Sequence, residues 1–129
     1  MIKVKICGIT NSKDALLAAS LGAWAVGFIF YKGSPRYISP SKAKRIIDNL
    51  PPFVTPVGVF VNHREGAVRD IMKFCGIQTL QFHGDETPQY CRRFKDQKVI
   101  KAFRVKEGFD ISGLSQYQVS AYLFDAYQE

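Results

Sequence analysis

Six short apolar runs, separated by segments with the rhythm of amphipathic helices, restrict this chain to one fold class. The runs begin near Lys3, Trp24, Val54, Ile77, Val99 and Ala121. Trp24 to Phe30, Val54 to Val61 and Val99 to Val105 are nearly continuous rather than alternating, as strands covered on both faces are. No two successive starts lie more than 30 residues apart, which leaves room only for short β/α units. The expected class is α/β with a parallel sheet.

The intervening segments carry helix punctuation. Asn11 can cap a helix presenting Ala15, Leu16 and Ala19, and Gly22 can stop it. Ser39-Pro40 pairs an N-cap with a first-turn proline, Ala43, Ile46, Ile47 and Leu50 follow at helical spacing, and Pro51-Pro52 ends the run. Ala67, Val68, Ile71, Met72 and Cys75 form a third apolar face before Gly76, and Thr87-Pro88 opens a fourth with Tyr90, Cys91 and Phe94 inward. Asp110 to Tyr117 has room for a short fifth helix but a poor pattern.

A closed barrel and an open doubly wound sheet both produce such alternation. No G-x-G-x-x-G follows the first strand and no G-x-x-x-x-G-K-S/T occurs, so common nucleotide-binding signatures are absent. Polar residues instead end nearly every strand: Cys7, Asn62, His83, Arg104 and Asp125. An open sheet concentrates its site at one switch point, whereas a barrel draws residues from strand ends around its rim. The distribution favours a barrel. Cys7, directly before a glycine turn at the end of strand one, is then a candidate nucleophile or proton-transfer group. The plainer reading of a free cysteine is a small buried apolar residue.

Composition sets limits. The chain has 129 residues, 47% of them apolar, enough for one domain's core. It has no run of 18 apolar residues and no signal-peptide h-region, so a soluble cytoplasmic protein without membrane contact is expected. Cys7, Cys75 and Cys91 lack metal-ligand spacing and read as reduced thiols. The net charge of +7 is dispersed, with small clusters at Lys42-Lys44-Arg45 and Arg92-Arg93. No nucleic-acid-binding motif accompanies it, so nucleic acid is not an expected partner, and an anionic small substrate benefits from the same field.

Six motifs carry a resemblance: Lys-Ile-Cys-Gly-Ile-Thr at 5–10, Gly-Phe-Ile-Phe at 27–30, Ser-Pro-Arg-Tyr-Ile at 34–38, Gly-Val-Phe-Val-Asn at 58–62, Gln-Phe-His-Gly at 81–84 and Leu-Phe-Asp-Ala at 123–126. In order and spacing the chain resembles the phosphoribosylanthranilate isomerase family. The resemblance implies a (β/α)8 barrel of the TIM type. It also implies an Amadori rearrangement of N-(5-phosphoribosyl)anthranilate to 1-(2-carboxyphenylamino)-1-deoxyribulose 5-phosphate in tryptophan biosynthesis. Cys7 is then the general base and Asp125 the general acid, with no cofactor or metal required, because the substrate nitrogen is the electron sink. The two roles make opposite demands, since an acid is best with a raised pKa and a thiol base with a lowered one. Arg36 is expected to hold the anthranilate carboxylate, bidentate pairing suiting that task. His83 is a candidate substrate-binding group at the rim, equally able to bond a neighbouring loop. Gln81, Asn62 and Arg104 are rim positions without assigned roles. Lys5 shares strand parity with Cys7 and could favour its thiolate or serve an interior ion pair. Cys75 and Cys91, on apolar helix faces, are expected to be packing residues.

The resemblance also sets a departure. Family members continue past Asp125 through a Gly-rich loop and two further strands, whereas only four residues follow it here. Residues 1–129 are therefore expected to form one incomplete barrel domain, truncated to about six strands and five helices. The phosphate site after strands seven and eight is not represented. Two consequences are expected: little turnover by this chain alone, and self-association or binding of a complementing barrel fragment through open strand edges. A non-catalytic folding or assembly module is the alternative function.

Overall fold

The six apolar runs pair as one all-parallel sheet in chain order, β1-β2-β3-β4-β5-β6. A computed structural model describes residues 1–126. The strands are β1 (Lys5–Cys7), β2 (Ala25–Ile29), β3 (Thr55–Phe60), β4 (Thr79–Phe82), β5 (Lys98–Val105) and β6 (Ala121–Ala126). Between them run α1 (Ser12–Ser20), α2 (Pro40–Asp48), α3 (Glu65–Cys75) and α4 (Pro88–Arg92). Each observed strand starts within two residues of its expected position.

The helix starts follow from local chemistry. Asn11 Oδ1 accepts from the Asp14 amide at 2.8 Å, Ser39 Oγ from Lys42 at 3.3 Å and Thr87 Oγ1 from Tyr90 at 3.1 Å. Pro40 and Pro88 occupy first-turn positions, where a missing N–H costs nothing. Gly76, at φ 72°, closes α3 in the left-handed region.

Two expectations need correction. The Asp110–Tyr117 segment is not an α-helix: its regular part is a single 3₁₀ turn, Leu114–Gln116. Asp110 accepts from the Ser112 amide and hydroxyl, and this local turn competes with a helical start. The described chain thus has four α-helices and one 3₁₀ turn. On α1 the buried face is Ala15 and Ala18, and Leu16 is exposed. The helix meets β2 through its smallest side chains, which allow close approach of helix and sheet.

Strand alternation sorts the two faces. Val26, Phe28, Phe60, Leu80, Phe82 and Val99 point to the helices and pack with Ala43, Ile46, Val68, Met72, Cys75 and Phe94. Cys7, Ile29, Val59, Gln81, Leu123 and Asp125 point the other way and line one cavity. In a flat sheet β1 and β6 would stand about 24 Å apart, at about 4.8 Å per strand. Their side chains share a cavity because the sheet curls, and the six strands form the wall of a barrel-type fold.

Candidate active site

The cavity occupies about 400 Å³ at the carboxyl ends of the strands, where ligands gather in β/α architectures. Lys5 and Cys7 come from β1, Tyr31, Ser34 and Arg36 from the loop after β2, and Gln81 from β4. His83 lies just past β4, Arg104 is the penultimate residue of β5, and Asp125 comes from β6.

Cys7 stands opposite Gly27 in the β1–β2 register. A Cβ at Gly27 would lie 2.9 Å from Cys7 Sγ, so glycine there makes room for the thiol. The chain then turns sharply through Gly8, whose φ of 86° suits glycine. The Gly8 and Ile9 amides both donate to the Gly27 carbonyl at 3.0 Å, anchoring the turn to the neighbouring strand.

Arg36 reaches the same turn from the other side. Its guanidinium Nη1 donates to the Cys7 carbonyl at 3.0 Å and lies over Gly8. Ser34 Oγ accepts from the Arg36 amide, and the Ile38 amide returns to Ile29 O, fixing the loop that presents the arginine.

Asp125 has a different partner. His83 Nε2 lies 3.0 Å from Asp125 Oδ2, and Gln81 Nε2 lies 2.8 Å from His83 Nδ1. Gln81 is 1% exposed, and its Oε1 is enclosed without a partner among the described residues. Below this triad lies a buried ion pair, Lys101 Nζ to Glu86 Oε1 at 3.3 Å. Glu86 also accepts from the amides of Asn62 and Gly84, both at 2.8 Å, and Lys101 donates to the carbonyls of Phe82, Gly84 and Ala102. The pair thereby ties the backbone around His83 to β3 and β5.

The structure thus gathers Cys7, Arg36, His83 and Asp125, together with Lys5, Gln81 and Arg104, around one space. Lys5 has no acidic side chain within ion-pair distance among the described residues. Asn62 is not part of the cavity. It adopts φ 54° in the loop after β3, and its Oδ1 accepts from the Asp85 amide at 2.7 Å. Cys75 on α3 and Cys91 on α4 are buried in the core, and burial pushes both thiols up, Cys91 to about 11. Sequence reasoning missed Glu86 and Lys101. The available signal was a lysine inside the otherwise apolar Val99-Ile100-Lys101-Ala102-Phe103. Among the described residues, no three His, Cys, Asp or Glu side chains cluster in a way that could hold a metal ion.

The sequence profile described as N-(5'phosphoribosyl)anthranilate (PRA) isomerase matches residues 4–129. The chain belongs to the phosphoribosylanthranilate isomerase family. The N-(5'-phosphoribosyl)anthranilate isomerase of Trichlorobacter lovleyi is 52% identical over 127 residues, covering 98% of this chain and 62% of that protein. That of Citrifermentans bemidjiense is 51% identical, covering 98% and 61%. The chain therefore spans about three-fifths of the length of these curated relatives. Among solved structures, the Thermotoga maritima phosphoribosylanthranilate isomerase superposes with TM-score 0.91 at 41% identity, covering 100% of this chain and 64% of that one. An isomerase in complex with reduced 1-(o-carboxyphenylamino)-1-deoxyribulose 5-phosphate gives TM-score 0.92 at 44% identity, covering 98% and 66%. These isomerase folds agree with the curled β/α wall described above. No described helix of this family member is long and apolar enough to cross a membrane.

Proposed function

We propose that this chain carries the catalytic pair of an aldose–ketose isomerase acting on N-(5'-phosphoribosyl)anthranilate, with Cys7 as general base and Asp125 as general acid. The observation that carries the reading is their convergence: a thiol on β1 and a carboxyl on β6 line one cavity, with Arg36 over the Cys7 turn and His83 bonded to Asp125. The volume of about 400 Å³ lies within the range of small-molecule sites. The ligand of the related complex, an aryl carboxylate joined through an amine to a phosphorylated sugar, supplies the substrate class.

The chemistry follows from those groups. Asp125 delivers a proton to the furanose ring oxygen, the C1–O bond breaks, and the anilino nitrogen's lone pair forms an iminium. The cation acidifies the hydrogen on C2, the Cys7 thiolate removes it, and the resulting enolamine tautomerises to the aminoketose. Arg36 pairs with the anthranilate carboxylate and holds C2 near the thiol. His83 binds at the rim through its contact with Asp125. The electron sink belongs to the substrate, so the proposed route uses no cofactor. We place it in the cytoplasm, in tryptophan biosynthesis, on residues 1–129 as a single β/α domain.

Turnover is followed as loss of anthranilate-type fluorescence, with the chain alone and with a peptide supplying the remaining barrel strands of a relative. In the active form, Cys7→Ser and Asp125→Asn each lower kcat by on the order of 10² or more, with KM less affected. A variant with near-normal kcat removes that residue from its role.

A second reading rests on the sheet edges. β1 and β6 each have a single strand neighbour among the described residues. On this reading the chain is an assembly module that associates with itself or with a complementing barrel fragment and turns over little alone.

A further inference from the structure

The geometry points to Gln81 as a positioning residue that acts on Asp125 through His83. It fixes which imidazole nitrogen, and thereby which carboxyl oxygen, carries a proton. The inference rests on the reading of Asp125 as the acid.

Gln81 and His83 are two residues apart at the end of β4, so strand alternation aims both into the cavity. An amide nitrogen can only donate, so the 2.8 Å contact from Gln81 Nε2 makes His83 Nδ1 an acceptor. The proton of the neutral ring then sits on Nε2 and is donated to Asp125 Oδ2 at 3.0 Å. With Oδ2 accepting, the oxygen left to carry a proton toward substrate is Oδ1.

The enclosed Oε1 of Gln81 is consistent with this orientation. Turning the amide would put its two N–H groups in the space where Oε1 now lacks a partner. Two unpaired donors there are worse than one unpaired acceptor. The turned amide would also demand a proton on Nδ1, leaving Nε2 as an acceptor that takes up the Asp125 proton instead of leaving it for substrate. The ring has little freedom to escape the arrangement. The His83 amide donates to Phe60 O at 2.8 Å, and the next residue's amide is held by Glu86.

The test is a two-bond nitrogen–proton correlation spectrum of the isotope-labelled 129-residue chain at neutral pH. His63 serves as an internal reference, because its Nδ1 accepts from the Val61 amide at 3.1 Å and its Nε2 faces Phe30 O at 3.1 Å. Both of those partners are backbone groups that cannot be turned. The expected result is the Nε2–H pattern for both histidines. Gln81→Glu should protonate both nitrogens of His83, and Gln81→Leu, which frees Nδ1 while Nε2 still faces Asp125, should add a fraction of rings protonated on Nδ1, with His63 unchanged in each. A His83 protonated on Nδ1, or on both nitrogens, in the unaltered chain overturns the proposal. So does an Nε2–H pattern that both variants leave intact. If the leucine variant does not fold, the unaltered chain and the nearly isosteric glutamate variant decide. The spectrum reads the tautomer independently of activity. Failure of the acid assignment would appear separately, as retained kcat in Asp125→Asn.

Discussion

Arg36 lies across the Cys7–Gly8 turn, its Nη1 donating to the Cys7 carbonyl at 3.0 Å, so the proposed carboxylate-binding group and the proposed base share one piece of backbone. A Cβ on Gly8 would come within 2.6 Å of that guanidinium, at a residue whose φ is 86°.

Gly8→Ala is therefore expected to act twice. The left-handed backbone costs about 1–2 kcal/mol of stability, and the flexible arginine head is pushed off the turn. In a turnover-competent form KM should rise about tenfold or more, as in Arg36→Ala, while kcat stays within about tenfold. A lost kcat with unchanged KM in Arg36→Ala would remove the arginine from the carboxylate role.

Glu86 and Lys101 are 5% and 2% exposed, so breaking their pair leaves a charge with no access to water. Lys101→Met or Glu86→Gln alone should cost about 3–5 kcal/mol in urea unfolding. Replacing both with apolar residues should recover part of the loss, although the Asn62 and Gly84 amides would still lack their acceptor. Single variants with unchanged midpoints would mean that the pair is not buried in solution.

Cys91 gives a pH dependence with a defined sign. Its thiol is raised from 9.0 to about 11, chiefly by burial, so the unfolded chain loses this proton before the folded one does. The contribution is intact below pH about 9 and is lost as pH rises toward 11, on the order of 2 kcal/mol. Cys91→Ala should flatten that part of the stability profile. Cys75 and Cys91 should also resist alkylation in the native state, whereas the half-buried Cys7 reacts.

The proposed assembly reading predicts association. Ile6 on β1 and Phe124 on β6 are 40% and 54% exposed, beside strands with one neighbour each among the described residues. Sedimentation at increasing concentration should show self-association, suppressed by a peptide supplying complementary strands. A compact monomer at all concentrations, with cooperative unfolding and full turnover, would refute the assembly reading.

The alternation of apolar runs with capped helices determined the parallel β/α order, because hydrophobic period and cap chemistry are local properties of the sequence. Cys7 and Asp125 were legible for the same reason, as polar groups ending apolar runs alongside Asn62, His83 and Arg104, and the family resemblance singled out the pair. The Asp110–Tyr117 segment was not legible, since an Asp–Ser side-chain turn competes with a helix where no apolar face selects between them. What only the tertiary structure decided is distance. The curl of the sheet brings β1 and β6 to one cavity, sends Asn62 to a loop seam, and puts Gln81, His83 and Asp125 in a hydrogen-bonded row. It likewise buries Lys101 against Glu86, 15 residues away in sequence. Such contacts depend on strand register and curvature, which arise from the packing of all six strands together and are written in no single segment.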